Sequence, residues 1–278
     1  MKSVENVFVV LIYRNFRDLE DFLISVENKV NDYIVVVVNA HYDDETDNRV
    51  HKIVDENSNA VLIDVPNNGY SYGNNRGIEY SINNYLFKYL IISNPDIEIK
   101  KFNLPKENLQ SVIYGPVIKT LSGKDQNPFR PIVTKTGERF QYQMNKKRNY
   151  RLLTFRKGAN KILRELFLAR FLRERSDQKQ VYSLHGSFVI FTYDAILKLG
   201  KIYYEKMFLF GEEELLSYRC KKHGIPMIMT KDVEVLHKED GSMKLANIKT
   251  LDQEAKSYII YYEERDKADK ESSNFYSK

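Results

Sequence analysis

The sequence predicts an α/β fold, a mostly parallel, Rossmann-like central sheet flanked by helices and interrupted by a basic helical insertion. Three observations point there. Short apolar runs rich in Val and Ile recur through the first half, as expected of strands buried on both faces of a parallel sheet. Amphipathic helical segments separate them, an alternation that builds right-handed βαβ units. The 278 residues, 42% apolar and 13% aromatic, suffice for a sizeable core and are too apolar for disorder.

The first strand runs from Phe8 to Tyr13. Asp18 to Val30 then sets Leu19, Phe22, Leu23, Val26 and Val30 on one helical stripe. Tyr33 to Val38 is the second strand, β-branched after its Tyr, and it stops at the turn-rich Asn39 to Asp47. A polar amphipathic helix covers Asn48 to Glu56, a third strand Ala60 to Val65, a helix about Gly73 to Phe87, and a fourth strand Tyr89 to Ser93. The second half is less regular. Val112 to Lys119 reads as a strand, whereas the polar Leu121 to Arg148 gives no assignable element. Leu152 to Arg175 reads as one or two basic amphipathic helices with Ile162, Leu163, Leu166, Phe167, Phe171 and Leu172 on the apolar side. Strand Ser187 to Thr192, helices Asp194 to Leu199 and Glu212 to His223, and strands Pro226 to Thr230 and Val233 to His237 complete the core. The charged tail after Glu263 is expected to fray.

The net charge of +5 comes from one segment. Between Glu138 and Lys179 thirteen Lys or Arg stand against Glu138, Glu165, Glu174 and Asp177, so the rest of the chain is net negative. Residues 148–179 therefore suit an anionic membrane surface. A solvated helical face or an oligomer contact accounts for the same pattern. No stretch approaches the ~18 apolar residues of a membrane-spanning helix, and no secretory signal is read, so a soluble protein is expected. The single Cys220 forms no internal disulfide and fits a reducing cytoplasm, at most against the inner face of the plasma membrane. Its apolar flanks predict a buried thiol.

Four motifs carry chemistry. Asn67 to Gly77 is a glycine-punctuated loop running into a helix, where backbone N–H groups and Arg76 favour a phosphate. It lacks the spacing of a dinucleotide fingerprint, and a tight turn with no ligand is the alternative, but its length and Arg76 favour the ligand. Asn94-Pro95-Asp96 puts Asp96 beyond the carboxyl end of a central strand, the edge where open α/β sheets bind ligands, although an Asp there also caps turns. Glu212-Glu213-Glu214 begins a helix behind the apolar Phe208-Leu209-Phe210-Gly211, which predicts desolvated carboxylates with raised pKa; a run of dipole-capping acids is the plainer alternative. His237 ends a strand ahead of Lys238-Glu239-Asp240-Gly241-Ser242, and His185 opens another before Gly186; a strand-end His is a metal ligand less often than a simple polar terminus. His41, His51 and His223 read as surface or loop residues. No zinc spacing, GxSxG elbow or Walker loop occurs.

As a set these residues resemble the family 2 glycosyltransferases of GT-A fold, particularly the bacterial rhamnosyltransferase-like branch of surface-polysaccharide synthesis. The likeness spans Val7 to Lys119 and His185 to Tyr262. It implies a nucleotide-sugar-binding half over 1–119, a basic insertion over 120–180, an acceptor and catalytic half over 181–245, and a C-terminal helix and tail over 246–278. It implies donor binding by Tyr13, Asn39, Gly73, Asn75, Arg76, Asn94 and Asp96, and Mg²⁺ or Mn²⁺ held by Asp96 and His237. Catalysis falls to Glu213, assisted by Glu212, with His185 and Gly186 lining the acceptor side. Departures from the family pattern are Asn94 at the head of the Asp-x-Asp-like triplet, Val38 before Asn39, and Glu213 in place of Asp.

The implied activity is inverting, metal-dependent transfer from a nucleotide-diphosphate sugar, UDP-hexose or dTDP-rhamnose, to a glycan or lipid-linked saccharide. Rival readings are a catalytically inactive carbohydrate- or nucleotide-binding relative and a basic membrane- or nucleic-acid-binding protein. Nucleic acid is not expected as a partner, because it explains neither Asp96 nor Glu213. Self-association stays open. A sugar nucleotidyltransferase would need glycines after the first strand, where Tyr13-Arg14-Asn15-Phe16 has none.

Overall fold

A computed structural model describes residues 1–105, 110–239 and 250–273. Asp240, Gly241, Ser242 and the expected division at residues 245 and 246 lie outside the described residues. The short strands β1 (Lys2–Ser3) and β5 (Tyr85–Leu86) pair with each other. The main sheet contains β2 (Asn6–Ile12), β3 (Tyr33–Ala40), β4 (Ala60–Val65), β6 (Tyr89–Ser93), β7 (Ile97–Phe102), β8 (Ile113–Thr120), β9 (Gln178–Val181), β10 (Phe188–Thr192) and β11 (Met227–His237). Around it lie α1 (Arg17–Lys29), α2 (Asp44–Asp55), α3 (Tyr70–Asn84), α4 (Lys135–Lys146), α5 (Tyr150–Arg173), α6 (Tyr193–Leu199), α7 (Glu212–His223) and α8 (Thr250–Ser273).

The order across the sheet is β4-β3-β2-β6-β10-β8-β11-β7, with β9 also pairing with β11. Its first four strands are mutually parallel, as the βαβ alternation predicts. From β10 onward the sheet is mixed: β10 runs antiparallel to β6 and β8, and β11 is parallel to β8 but antiparallel to β7 and β9. Strand alternation explains the continuous apolar runs. Val7 and Val9 join one core with α3, α6 and α7, while Phe8, Val10 and Ile12 join the opposite core with α1 and α2.

Several boundaries differ from expectation for local reasons. Helix α2 begins at Asp44, because the Asp43 carboxylate caps it by accepting from Thr46 N–H at 2.8 Å. Helix α3 begins at Tyr70, so Gly73 and Gly77 are helical residues rather than loop punctuation. A Cβ on Gly73 would lie 2.4 Å from the Leu11 side chain, and one on Gly77 2.3 Å from Val9. These glycines bring α3 close to the sheet. The segment without assignable structure contains α4, started by Thr134, whose hydroxyl accepts from Gly137 N–H. The two expected late strands are one, β11, with a register shift between Met229 and Glu234. The tail does not fray where expected: α8 continues to Ser273, and Ala268, Asp269 and Ser272 are buried. His223 lies on α7 with Nε2 2.7 Å from Asp269 Oδ1. The Cys220 thiol is buried, which pushes it up to about 12. No helix among the described residues is long and apolar enough to cross a membrane.

Candidate active site

The carboxyl ends of β2, β3 and β6, the start of β10, the head of α7 and the inner side of α5 enclose a cleft of about 950 Å³. The tight turn after β6 leaves Asp96 2% exposed. It is fixed by two backbone bonds: Asn94 N–H donates to the Ser187 carbonyl at 2.9 Å and Lys238 N–H to the Asp96 carbonyl at 2.9 Å. Because β7 and β11 pair with Ile97 opposite His237, the end of β11 is delivered to this turn. His237 Nε2 lies 3.2 Å from Asp96 Oδ1, yet that buried oxygen has no aligned hydrogen bond among the described residues. On its other side His237 Nδ1 is 2.6 Å from Gln126 Oε1, an acceptor that requires the ring proton on Nδ1. In the neutral ring Nε2 then carries the lone pair, beside the Asp96 Oδ1 oxygen. This is the donor set, with its outer partner, that a divalent cation uses. Among the described residues no cluster of three or more acidic, His or Cys side chains surrounds it, so a cation held here would complete its coordination with ligand oxygens or water.

His185 stands next, its ring 6.0 Å from that of His237. Ser187 N–H donates to His185 Nδ1 at 3.2 Å, which puts the proton of the neutral ring on Nε2. Burial, with the nearby His237 and Arg164, pulls the imidazole down to about 3. Gly186 follows, and its missing side chain matters: a Cβ there would lie 2.9 Å from Glu213 Oε1. Tyr70 at the head of α3 donates its hydroxyl to the Gly186 carbonyl at 3.1 Å.

The carboxylates are delivered by a constrained turn. Phe210 and Gly211 are both left-handed, at φ 69° and 82°. For Phe210 this is strain of about 1–3 kcal/mol, held in place by its surroundings. The Leu209 carbonyl accepts from Ser257 Oγ on α8 at 2.7 Å, and the Phe208 carbonyl from Tyr70 N–H at 2.8 Å. That second bond consumes one of the free N–H groups at the start of α3, where a phosphate was expected. Gly69 permits it, since its φ is 95° and a Cβ would sit 2.5 Å from the Phe208 carbonyl oxygen.

Glu212 is buried, and its Oε1 has no hydrogen-bond partner among the described residues. Burial and then Glu213 push it well above the usual carboxylate range. Burial and then Glu214 push Glu213 up to about 7, against the pull of Arg130 and the backbone N–H groups of Glu213 and Gly186. Glu214 faces Arg130 instead, in a buried pair at 2.7 Å. The three acids thus have separate surroundings. Within the coupled Glu212–Glu213 pair burial raises both carboxyls, and those N–H groups and Arg130 ease the ionisation of Glu213.

Tyr13, Asn94, Asp96, His185, Gly186, Glu212, Glu213 and His237 all line the cleft. Asn39, Gly73, Asn75 and Arg76 do not. Asn39 donates to Asp47 at 2.9 Å and Asp64 at 2.8 Å. Asn75 exchanges two bonds with the Tyr203 backbone. Arg76, expected to reach a phosphate, is held by Glu79 and Glu205, each at 2.9 Å. Other cations line the cleft, Arg130, Arg156, Lys157 and Lys161 among them. Arg164 of α5 lines it too, its buried Nε has no hydrogen-bond partner among the described residues, and burial lowers its guanidinium from the ordinary value. Its signal was helical spacing: Leu153, Arg156, Asn160, Arg164 and Leu168 recur three or four residues apart on the inner face.

Against this geometry, comparison with solved structures is informative. GalNAc-T7, determined with UDP, GalNAc and Mn²⁺, superposes with TM-score 0.63 over 95% of this chain and 49% of its own, at 12% identity. S. aureus TarS 1-349 superposes with TM-score 0.51 over 98% of this chain and 74% of its own, at 13% identity. The fold is GT-A. In sequence, the chain is 25% identical over 175 residues to the low-salt glycan biosynthesis hexosyltransferase Agl10 of Haloferax volcanii, which is 62% of this chain and 50% of that protein. The chain therefore spans about half the length of that relative. No family model matches it.

Proposed function

We propose that the protein is an inverting glycosyltransferase that moves a hexose from a nucleoside-diphosphate sugar to a hydroxyl of a saccharide acceptor. The observation that carries this reading is one cleft containing both the Asp96–His237 pair, with its orphaned oxygen, and the buried Glu212–Glu213 pair. UDP is the first choice of donor nucleotide, supported by the UDP and UDP-GlcNAc complexes of proteins of the same fold, and dTDP-rhamnose the second. Mg²⁺ or Mn²⁺ held by Asp96 Oδ1 and His237 Nε2 would supply the positive charge that a departing diphosphate needs.

The remaining work falls to side chains. Arg164, in place of Arg76, extends its guanidinium to the diphosphate, and Tyr13 and Asn94 line the donor side. Glu213 takes the proton of the acceptor hydroxyl as that oxygen attacks the anomeric carbon. The bond to the diphosphate oxygen breaks in the same displacement, and the nucleoside diphosphate leaves. Glu212, still protonated, donates a hydrogen bond toward the acceptor. His185 Nε2–H and the open surface at Gly186 orient the acceptor.

Thermal melting in the presence of UDP, dTDP, GDP or NAD, each with and without Mn²⁺, tests the reading. A nucleotide near 100 times its dissociation constant stabilises by ~2.7 kcal/mol. One nucleoside diphosphate should stabilise only with metal, and Asp96→Ala should abolish the shift. Stabilisation by none of them would remove the transferase reading; metal-dependent stabilisation without sugar transfer to any saccharide would leave a binding protein.

A further inference from the structure

Helix α5 has two apolar faces, and among the described residues only one is packed. Leu153, Leu168 and Phe171 point inward and are buried. Leu152, Phe155, Ala159, Ile162 and Leu166 recur at intervals of three, four, three and four residues, a straight stripe on the opposite side. Phe155 is 77% exposed, Ile162 60% and Leu166 65%. Leu163, 50% exposed, joins this stripe to the cleft, which it and Ala159 also line. The helix contains seven Lys or Arg and one acid, Glu165. Arg151 and Arg173 stand exposed at either end of the stripe.

We infer that this outer face of α5 rests on an anionic lipid surface, with the apolar stripe in the interfacial region and the basic residues against lipid phosphates. Charge selects this occupant. A second copy of the chain would set Arg151 and Arg173 against each other or against themselves, with one Glu per helix to answer them, whereas an anionic bilayer answers both at once. An interfacial helix combines an apolar stripe with flanking Lys and Arg in this manner. At 24 residues α5 would lie along about 36 Å of membrane. The consequence for chemistry rests on the transfer reading above: with Ala159 and Leu163 shared by stripe and cleft, the cleft mouth opens at the lipid surface and favours a lipid-borne saccharide acceptor.

Co-sedimentation of the full chain with phosphatidylcholine vesicles, and with phosphatidylcholine mixed with phosphatidylglycerol, tests the docking independently of turnover. The protein should pellet with the anionic vesicles only, and less as salt is raised. A Phe155→Gln/Ile162→Gln/Leu166→Gln variant should lose at least about tenfold in vesicle affinity, with the nucleotide-induced thermal shift unchanged. Should that variant fold poorly, Arg151→Glu/Arg173→Glu should show the same loss. Equal pelleting with both vesicles, no pelleting, or undiminished binding by both variants would overturn the docking. So would a dimer, seen by light scattering, that the Gln variant splits without any vesicle binding. None of these results bears on the nucleotide-dependent melting, so the two readings fail separately.

Discussion

Glu213 shows how one residue trades stability for reactivity. A carboxyl held at about 7 is half ionised near neutral pH, where a base combines availability with proton affinity. The rate of transfer should therefore rise with pH through about 7, and Glu213→Gln should lower turnover by ~10²-fold or more with donor binding unchanged and that rise removed. The same perturbation has an opposite effect on folding. The unfolded carboxyl titrates near its ordinary value of about 4.3, so between there and 7 the folded state holds a proton that the unfolded state has released. Stability contributed by this group is present at acid pH and is lost as pH climbs through that window. Glu213→Gln, with nothing to ionise, should be more stable than the parent by about 1–3 kcal/mol at pH 8 and no more stable below pH 4. Denaturant titrations at the two pH values measure it; a variant destabilised at both would mean that the carboxylate is structural. His185 acts in the other sense. Its buried imidazole refuses a proton that the unfolded ring accepts below about 6.5, so it withdraws stability on the acid side.

At the scale of elements, the site depends on two approaches with no side chain between. The turn at Gly186, just before β10, lies against the head of α7 so closely that a Cβ would meet Glu213 Oε1 at 2.9 Å. Gly186 has no left-handed backbone to protect, so Gly186→Ala should fold normally, displace the Glu213 carboxylate and lower kcat by roughly tenfold or more with little change in donor affinity. Nearly unchanged kcat would mean that the carboxylate swings aside freely. Such approaches explain what could be read from the chain alone. Strands buried on both faces announce themselves as unbroken apolar runs, and β4 and β6 have the predicted bounds. The half-buried β7 and the four-residue β9 have no such run, and their place is set by pairing with β11. Asp96, Glu213 and His237 could be gathered from the sequence because strand ends and helix heads converge on one edge of such a sheet, and all three line the cleft there. Arg76 misled, since charge and a neighbouring glycine signal a phosphate equally well whether or not Glu79 and Glu205 take the guanidinium. Arg164 was hidden because its inward face is defined by a long helix whose two sides are both apolar.

For the whole molecule, α8 is the element that makes the parts cooperate. Its Tyr261 hydroxyl donates to the Glu138 carboxylate of α4, and its Glu264 accepts from the Tyr204 hydroxyl at 2.7 Å. Farther along, Asp269 meets Arg219 of α7 at 3.3 Å, Lys222 at 2.9 Å and His223 at 2.7 Å. Arg219 is 1% exposed and otherwise donates to the carbonyls of Leu199, Lys201 and Ile202. Remove the end of α8 and a guanidinium is left in the interior with no carboxylate. Breaking a buried pair in this way costs about 3–5 kcal/mol, which for a chain of this size lowers the melting temperature by roughly 10 °C. A chain truncated after Glu263 should show that loss, and because α7 carries Glu212 and Glu213 at its other end, turnover should fall with it. Arg219→Leu should harm the full-length protein but recover part of the stability of the truncated one, since replacing a stranded charge by an apolar side chain removes the penalty of burying it. Equal melting temperatures for the full and truncated chains would show that the last turns of α8 are decoration. Melting restored by Arg219→Leu without restored turnover would instead separate two roles of the end of α8, one in neutralising the buried guanidinium and one in holding α7, through Lys222 and His223, so that its first turn presents Glu213 to the cleft.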